Sequence, residues 1–288
     1  MHSRTIGDAK VSAIGLGAMP LSLTDAVGEE RAIATVHAAL DAGITLIDTA
    51  DAYAPDSDTV GHNERVIAKA LATWPVDTSH VLVATKGGHT RTPGGGWGLD
   101  GSPDHLRRAC EASLRALGVD TIGLYQYHRP DPGVPYAESI GALAQLREAG
   151  KIRLIGISNA SVEQIDIARS VLGEGGLASV QNQFSPRFRS SARELWHCSD
   201  HDIAFLPWSP LGGAGRAREL GEQGRAFAEV AGEVGASPQQ VALAWMLALS
   251  PAVIPIPGST HPLTARESAG AADLVLSDDQ LARLNAGG

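Results

Sequence analysis

Three apolar runs of the sequence end in side chains that can carry charge or move a proton. The runs are ITLID (44–48), HVLVATK (80–86) and TIGLYQYH (121–128), and their last residues are Asp48, Lys86 and His128. Strand side chains alternate between two faces, so each polar end shares a face with the residues two and four positions before it. The stretch LIDTADAY (46–53) then ends in Tyr53. If the three faces point into one barrel, a carboxylate, an ammonium and an imidazole meet at one rim, with a phenol beside them.

Such a group of side chains can deliver a proton to a carbonyl oxygen. A free phenol has a pKa of about 10 and is a weak donor at neutral pH. At about 4 Å and an effective dielectric of about 20, the ammonium of Lys86 favours the phenolate by about 4 kcal/mol, or up to about three pKa units before desolvation opposes it. Asp48 would hold Lys86, and His128 would donate to the oxygen that gains negative charge. Because no side chain donates hydride, reduction of that carbonyl requires a cofactor.

The sequence leaves other interpretations of these residues open. Asp48 and Lys86 could form an ion pair with a purely structural role, and a Lys at a strand end near a Tyr and an Asp also suits Schiff-base aldolase chemistry. We expect no metal site, because the Asp and His residues show no HExxH or paired-His spacing and Cys110 and Cys198 lie far apart.

Eight short apolar runs alternate with helical patterns along the chain. Besides the three above, they are VSAIGLG (11–17), KIRLIGIS (151–158), LASVQNQ (177–183), DIAFLPWS (202–209) and AVIPIPG (252–258). Helix starts are indicated at Asn63, Ser102-Pro103, Ser161-x-x-Gln164 and Ser237-Pro238. Apolar strands alternating with helices imply a parallel sheet covered on its faces, and eight such units favour an α/β fold of the (β/α)8 TIM-barrel type over an open sheet. The leading TIGDAKVS (5–12) predicts a β-hairpin that caps the barrel bottom.

Length and composition indicate a single domain spanning 1–288. The 288 residues are 43% hydrophobic and carry a formal net charge of -9 with no cluster of Lys and Arg, so we expect no nucleic acid partner. No apolar run reaches membrane-spanning length, and the first residues lack a signal core. With only two cysteines and no disulfide framework, we expect a cytoplasmic protein with no membrane association, and we predict no protein partner.

Taken in order, these motifs resemble those of the aldo-keto reductase superfamily over nearly the whole chain. LIDTADAY with GHNERVIAKAL (61–71) is similar to the family's Asp-to-Tyr signature, VATKGG (83–88) to its lysine strand and YQYHRPDP (125–132) to its histidine strand. The resemblance implies that Tyr53 is the general acid and base, that Lys86 and Asp48 tune it, and that His128 orients the carbonyl oxygen. It also implies an NADPH-dependent reductase that converts an aldehyde or ketone into an alcohol by hydride transfer.

Further segments resemble the family's nicotinamide and pyrophosphate contacts. GISN (156–159) and VQNQFSP (180–186) imply that the carboxamide is bound by Ser158, Asn159 and Gln181. WSPLGG (208–213) implies that Trp208, where Tyr is commoner in the family, stacks on the nicotinamide and that the following backbone receives the pyrophosphate. The residues of that backbone are Ser209, Pro210, Leu211 and Gly212. The other predicted cofactor contacts are Gly17, Ala18, Met19 and Asp48.

The segment IPIPGSTHPLTARESAGA (254–271) resembles the family's site for the adenosine 2′-phosphate. Its predicted contacts are Gly258, Ser259, Thr260, Thr264, Glu267 and Ser268. Many members of the family have a cationic or amide side chain where this chain has Gly258 and Thr264, and Arg266 or His261 could compensate. NADPH is therefore the predicted cofactor, with NADH as an alternative.

The substrate pocket is predicted to lie among the loops that follow the strands. Its candidate residues are Met19, Tyr53, Ala54, Trp97, His128 and Trp208. Trp97 belongs to a Gly-rich stretch (87–103), where it either lines the pocket or fixes the loop. We expect an open pocket that accepts many small carbonyl compounds. The non-enzymatic alternative is a nicotinamide-sensing regulatory subunit of the same fold, which would need an exposed apolar patch for its partner.

Overall fold

Strands and helices alternate along the chain. The computed structural model describes residues 1–23, 27–213, 216–217 and 225–286, so residues 287–288 of the predicted domain lie outside the described residues. The strands are β1 (Ser3–Ile6), β2 (Ala9–Ser12), β3 (Leu16–Gly17), β4 (Leu46–Asp48), β5 (Leu82–Gly87), β6 (His89–Arg91), β7 (Trp97–Leu99), β8 (Ile122–Tyr127), β9 (Ile152–Ser158), β10 (Ser179–Gln181) and β11 (Ala204–Phe205). The helices are α1 (Glu29–Asp41), α2 (His62–Thr73), α3 (Pro103–Leu117), α4 (Tyr136–Glu148), α5 (Val162–Leu172), α6 (Ala192–Ser199), α7 (Arg225–Val234), α8 (Pro238–Leu249), α9 (Pro262–Gly270) and α10 (Asp278–Ala286).

One curved parallel sheet forms the wall of a (β/α)8 barrel. Its hydrogen-bonded order is β3, β4, β5, β8, β9, β10 and β11, with every neighbouring pair parallel. Parallel neighbours require crossover connections, and helices supply most of them here. The predicted fold class is confirmed.

The apolar segment 252–258 closes the barrel between β11 and β3. The Phe205 N–H donates to the Ala252 carbonyl at 2.8 Å, and on the other side the Gly15 N–H donates to the Pro255 carbonyl at 2.9 Å. The N–H positions that would face β3 fall on two prolines, which have no proton to donate. The predicted eighth position is therefore occupied, but isolated bridges take the place of a continuous strand there.

The N-terminal hairpin caps the bottom of the barrel, as predicted. β1 and β2 pair antiparallel around Gly7, whose φ of 57° is a left-handed conformation that glycine adopts without strain. Ile6 and Val11 are buried in one cluster with side chains of the barrel interior. The predicted strand over 11–17 is therefore divided, because its first residues belong to the hairpin and only Leu16–Gly17 joins the barrel.

The polar side chains at the strand ends lie one layer above the apolar side chains of the barrel interior. Leu46, Leu82 and Leu124 lie in the buried cluster that also contains the hairpin residues. The register of the sheet places Asp48 beside Ala84 on the neighbouring strand, and it places Lys86 beside the next strand's polar residue, Gln126. The period-2 alternation thus carries the chemistry-bearing residues to the carboxyl end of the barrel.

Side-chain caps begin several of the helices that set the spacing of the strands. Ser161 and Gln164 form a complete capping box before α5, as do Ser237 and Gln240 around the start of α8. The predicted helix start at Asn63 is wrong: α2 begins at His62, with the left-handed Gly61 before it. Asn63 is instead a buried residue of the helix.

The described part of the chain has neither a membrane-spanning helix nor a cluster of metal-binding side chains. None of its helices is both long enough and apolar enough to cross a membrane. It also contains no group of three or more His, Cys, Asp or Glu side chains that could hold a metal ion.

Candidate active site

The ammonium of Lys86 is the centre of the polar cluster. Lys86 comes from β5 and is fully buried. Its Nζ donates to Asp48 Oδ2 at 2.7 Å, to the Thr49 carbonyl at 2.8 Å and to the Tyr53 hydroxyl oxygen at 3.2 Å. Three partners match the three N–H donors of an ammonium. The structure therefore brings together the amine and the carboxylate that were predicted at the strand ends and the phenol from the segment that follows β4.

A second polar contact network fixes the other oxygen of Asp48. Oδ1 accepts from the Gln181 side-chain amide at 2.7 Å and from the Gln126 amide at 3.3 Å. The buried carboxylate is thus fully engaged, which offsets the cost of removing it from water. Gln126 was not among the predicted site residues, although it shares a strand face with His128 and the same alternation marks it.

Burial and charge act in opposite directions on the Tyr53 hydroxyl. Burial raises the pKa of Tyr53 above its ordinary value of 10.0, because the phenolate loses solvation, and the charge of Lys86 lowers it. Burial has the larger effect, so the net shift is opposite to the one expected from the ammonium alone. The hydroxyl therefore keeps its proton at neutral pH. Because its oxygen accepts from Lys86, that proton is free to be donated elsewhere.

The ammonium itself is held in its charged form. Burial alone would lower the pKa of Lys86, but the carboxylate of Asp48 and the neighbouring Tyr53 raise it, and the net shift is upward. The cluster therefore presents a neutral phenol in contact with a stable positive charge. Such a charge stabilises any phenolate that forms when the proton leaves.

His128 directly follows β8 and faces the phenol. Its ring meets the Tyr53 ring edge-on, with the centroids 5.6 Å apart. Burial lowers the pKa of His128 well below 6.5, and the positive charges of Lys86 and Arg129 lower it further. The imidazole is therefore neutral at neutral pH and retains one N–H donor. Its Nδ1 is buried and has no hydrogen-bond partner in the described part of the structure.

The low pKa of His128 predicts a measurable dependence of stability on pH. Below 6.5 the unfolded chain binds a proton at His128 that the native state does not bind, so native stability falls as the pH falls. This group alone should reduce the free energy of unfolding by about 1.4 kcal/mol between pH 7.5 and 5.5. Urea unfolding at both pH values measures this decrease. In His128→Gln, the decrease in the free energy of unfolding should be smaller than in the original protein by about 1.4 kcal/mol. Equal pH dependences in the two proteins would contradict the assignment.

Polar residues of α2 hold the loop that carries Tyr53. The Thr49 hydroxyl donates to Asn63 Oδ1 at 2.6 Å, and the Asn63 amide donates to the Ala18 carbonyl at 2.9 Å. The neighbouring Glu64 accepts from Thr85 on β5 at 2.5 Å. These buried contacts tie the loop to two strands of the barrel. Asn63 and Glu64 were missed as positioning residues, although both lie in the motif that follows Tyr53.

The residues predicted to bind the carboxamide lie beside the acid–base cluster. The Ser158 hydroxyl and the Asn159 backbone N–H both donate to the Gln181 carbonyl, at 2.7 and 3.0 Å, and the Asn159 amide donates to the His128 carbonyl at 3.0 Å. Asn159 has a φ of 56°, a left-handed conformation that Asn tolerates better than most residues. Because Gln181 also contacts Asp48, the predicted cofactor contacts and the predicted catalytic residues form one connected group.

Trp208 follows β11 on the same rim. It is half-buried, and its Nε1–H is buried without a hydrogen-bond partner in the described residues. Ser209 has a φ of 50°, and its carbonyl accepts from the Gly212 N–H at 2.9 Å. The Gly212 N–H is therefore engaged within the turn and is not a free anion donor in this conformation. The remaining predicted residues of this turn are Pro210 and Leu211.

The predicted contacts after the first barrel strand lie against the predicted phosphate segment. Gly17 forms a parallel bridge with Gly258, and a β-carbon at Gly17 would lie 2.7 Å from the Ile256 carbonyl oxygen. Ala18 is fully buried, and its N–H donates to the Asp48 carbonyl at 2.8 Å, whereas Met19 is 36% exposed. Of these residues, Met19 has a solvent-exposed side chain.

Hydroxyl groups gather at the start of α9, where the 2′-phosphate contacts were predicted. The hydroxyls of Ser259 and Thr264 form a hydrogen bond with each other, and both oxygens lie 2.9 Å from the His261 carbonyl oxygen. The exposed residues beside them are Gly258, Thr260, Thr264 and Glu267, and Ser268 is half-buried. Hydroxyl groups at a helix start can bind a phosphate, although Pro262 has no N–H and the Leu263 N–H already donates to His261 Nδ1. Arg266 is instead paired with Asp41 of α1, at 3.3 Å.

A short hairpin formed by β6 and β7 lies next to the predicted catalytic residues. The His89 ring stacks on the Trp97 ring at 4.4 Å and meets the His128 ring edge-on at 5.0 Å. Trp97, a predicted pocket residue, is 45% exposed and contacts the His89 ring. Ala54, another predicted pocket residue, is fully buried. His89 was missed by the sequence analysis, since it follows Lys86 by three positions and breaks the strand alternation.

Comparison with known proteins gives one consistent family. A sequence model described as the aldo/keto reductase family matches residues 13–287. An uncharacterized oxidoreductase of Schizosaccharomyces pombe is 33% identical over 284 residues, covering 97% of this chain and 88% of the relative.

Solved structures agree with the sequence comparison. The glycerol dehydrogenase of Gluconobacter oxydans superimposes with a TM-score of 0.84 at 28% identity, covering 99% of this chain and 94% of that one. An aldo/keto reductase of Klebsiella pneumoniae, determined in complex with NADP and acetate, gives a TM-score of 0.82 at 28% identity, covering 98% and 93%.

Proposed function

Because this chain belongs to the aldo/keto reductase family and is an NAD(P)H-dependent oxidoreductase, we propose that it reduces aldehydes or ketones to alcohols with Tyr53 as the proton donor. The observation that carries the proposal is the contact of the Lys86 ammonium with the Tyr53 hydroxyl at 3.2 Å and with Asp48 at 2.7 Å. A carbonyl oxygen bound between Tyr53 and His128 lies within reach of two neutral donors. We also propose a cytoplasmic location, because both cysteines are free and buried, as is typical of proteins in a reducing compartment.

In the proposed mechanism, the protein supplies a proton and stabilises negative charge. The bound nicotinamide supplies the hydride that adds to the carbonyl carbon. As charge develops on the oxygen, the Tyr53 proton moves to it, and Lys86 stabilises the phenolate that remains. Neutral His128 donates its N–H to the same oxygen. Asp48 keeps Lys86 in position and charged, and solvent returns the proton to Tyr53.

The side chains around the site can bind nicotinamide adenine dinucleotide phosphate. Trp208 offers an aromatic face at the rim, and its buried, unpartnered Nε1–H calls for an acceptor. The amides of Asn159 and Gln181 lie next to the acid–base cluster, while the hydroxyl groups near Ser259 lie at a helix start. NADPH use follows from this set and from the NADP-bound relative.

Schiff-base chemistry at Lys86 is disfavoured by the same geometry. An amine forms an imine only as the free base, and Asp48 raises the pKa of Lys86, while its three donors are all engaged. The side chain is also fully buried. Borohydride should therefore trap no carbonyl compound on Lys86.

Transfer of a labelled hydride tests the proposed reaction directly. Purified protein and NADPH deuterated at the transferable position should convert aldehydes, aryl ketones or dicarbonyls into alcohols that carry deuterium on the carbinol carbon. Nuclear magnetic resonance of the product identifies that carbon. Tight NADPH binding without turnover on any carbonyl would instead favour the regulatory-subunit interpretation.

The pairing of Arg266 with Asp41 predicts how cofactor preference can be changed. The ion pair is half-exposed and spans 3.3 Å, so it is worth at most about 1 kcal/mol. Asp41→Asn keeps the oxygen that accepts from Trp74 Nε1 but releases Arg266 toward the predicted phosphate site. Fluorescence titration should show up to about fivefold tighter NADPH binding and unchanged NADH binding.

The matched control for that prediction removes one negative charge elsewhere. Asp8 pairs with Arg153 at the bottom of the barrel. Asp8→Asn should leave the affinity for both cofactors unchanged. An equal gain for NADH in Asp41→Asn would show that Arg266 does not reach a 2′-phosphate.

A further inference from the structure

Arg91 connects the β6–β7 hairpin to the loop of the proton donor. Its guanidinium lies over the Trp97 ring, 4.0 Å from the centroid, and its Nη2 donates to the Pro55 carbonyl at 2.6 Å. Pro55 is two residues beyond Tyr53. The positive charge of Arg91 is therefore fixed beside the catalytic loop, on the same hairpin as His89.

Arg129 brings a second positive charge to the same side of the site. It directly follows His128, and its charge lowers the pKa of both His128 and His89. Burial, Arg129 and Arg91 together lower the pKa of His89 to about 4. Among the described residues, no acid is one of the groups that shift the pKa of either imidazole, and the charges that shift them are positive.

In the described part of the chain, no acidic side chain forms an ion pair with Arg91 or Arg129, and the Nε–H of each is buried without a hydrogen-bond partner. The acid nearest to Arg129 in sequence, Asp131, accepts from the Gly101 and Gly133 N–H groups at 2.9 and 2.8 Å. Two half-buried cations near the acid–base cluster, with no acidic partner among the described residues, can bind an anion there.

We propose that the carbonyl substrate carries an anionic group, a carboxylate or a phosphate, which Arg91 and Arg129 bind while Tyr53 and His128 hold the carbonyl oxygen. The inference rests on the proposed carbonyl reduction and names the class of substrate at that site. A guanidinium matches both anions, because its parallel N–H groups pair with two oxygens at once. The rings of His89 and Trp97 connect the two ends of this site, because Trp97 contacts Arg91 and His89 contacts His128. An uncharged carbonyl compound gives neither guanidinium an anionic partner.

Matched substrates test the charge. We expect para-formylbenzoate to be reduced with a kcat/KM about 10- to 100-fold higher than its uncharged methyl ester, the range expected for a charge-assisted contact. Glyceraldehyde phosphate against glyceraldehyde tests the phosphate in the same way, and whichever pair shows the larger ratio identifies the anion. Added salt should reduce the preference, because it screens exposed charges.

Variants assign the effect to the named residues. Arg129→Met should lower kcat/KM for the anionic compound about 10- to 100-fold, mainly through KM, and change that for its uncharged partner less than threefold. Arg91→Lys keeps the charge but loses the paired geometry, so it should have a smaller effect. The control is Arg153→Met, which removes a charge at the opposite end of the barrel and should leave the preference unchanged. The affinity for NADPH should stay the same in all three.

The outcomes separate this inference from the proposed reaction. Equal reduction of both partners, a preference for the uncharged one, or loss of NADPH affinity in Arg129→Met would overturn the anion site and leave the reaction standing. If no compound were reduced, the reaction would fail, and calorimetry would still decide the anion site. Benzoate should then bind the NADP-loaded Tyr53→Phe protein at least tenfold more tightly than benzyl alcohol, and equal binding would refute the proposal.

Discussion

Replacing Tyr53 with Phe is expected to lower kcat/KM for carbonyl reduction by about 10²- to 10⁴-fold, the contribution typical of a positioned proton donor. The substitution removes one oxygen, the atom 3.2 Å from Lys86 Nζ, and leaves the buried ring in place. Lys86 then retains Asp48 and the Thr49 carbonyl as partners. Fluorescence titration should therefore show nearly unchanged NADPH affinity, and steady-state kinetics should show the loss in kcat.

A second tyrosine provides the control for this variant. The Tyr136 hydroxyl of α4 is buried and has no hydrogen-bond partner in the described residues, so Tyr136→Phe removes the same oxygen away from the cluster. It should leave kcat/KM within about threefold of the original value, an effect below about 1 kcal/mol. Full turnover in Tyr53→Phe would exclude the assigned proton donor.

Replacing Lys86 with Met is expected to reduce both activity and stability. Without the ammonium, nothing opposes the rise in the pKa of Tyr53 that burial causes, and the phenolate loses its stabilising charge. We expect a loss of about 10²- to 10⁴-fold in kcat/KM. Asp48, only 3% exposed, is also left without its counter-ion, which should cost about 3–5 kcal/mol in the free energy of unfolding. Urea unfolding measures the second effect.

Two further proteins separate the roles of this ion pair. The double variant Asp48→Asn, Lys86→Met removes both charges, so it should regain most of the lost stability while remaining inactive. The control Lys69→Met breaks the ion pair with Glu29, in which both side chains are about half exposed, and should change stability by less than about 1 kcal/mol. A double variant no more stable than Lys86→Met alone would show that the buried charge of Asp48 is not the cause.

Periodicity predicted the position of the acid–base cluster because strand geometry leaves little freedom. Asp48 and Lys86 each lie two or four residues beyond interior leucines, and the parallel register brings both to one rim. The same reasoning could have included Gln126. Periodicity could not predict the position of Tyr53, because that residue lies on a loop whose conformation depends on contacts with Asn63 and other distant residues.

By itself, the sequence determined the barrel, the end of the barrel that carries the chemistry and the types of side chain that meet there, since these follow from alternation and the βα repeat. Only the tertiary structure decided whether burial or a neighbouring charge has the larger effect on each ionisable side chain. The net rise in the pKa of Tyr53, the pairing of Arg266 with Asp41 and the lack of an acidic partner for Arg91 and Arg129 among the described residues all depend on burial and on neighbours distant in sequence. Burial and through-space distance are properties of the packed chain, and no local pattern of residues encodes them.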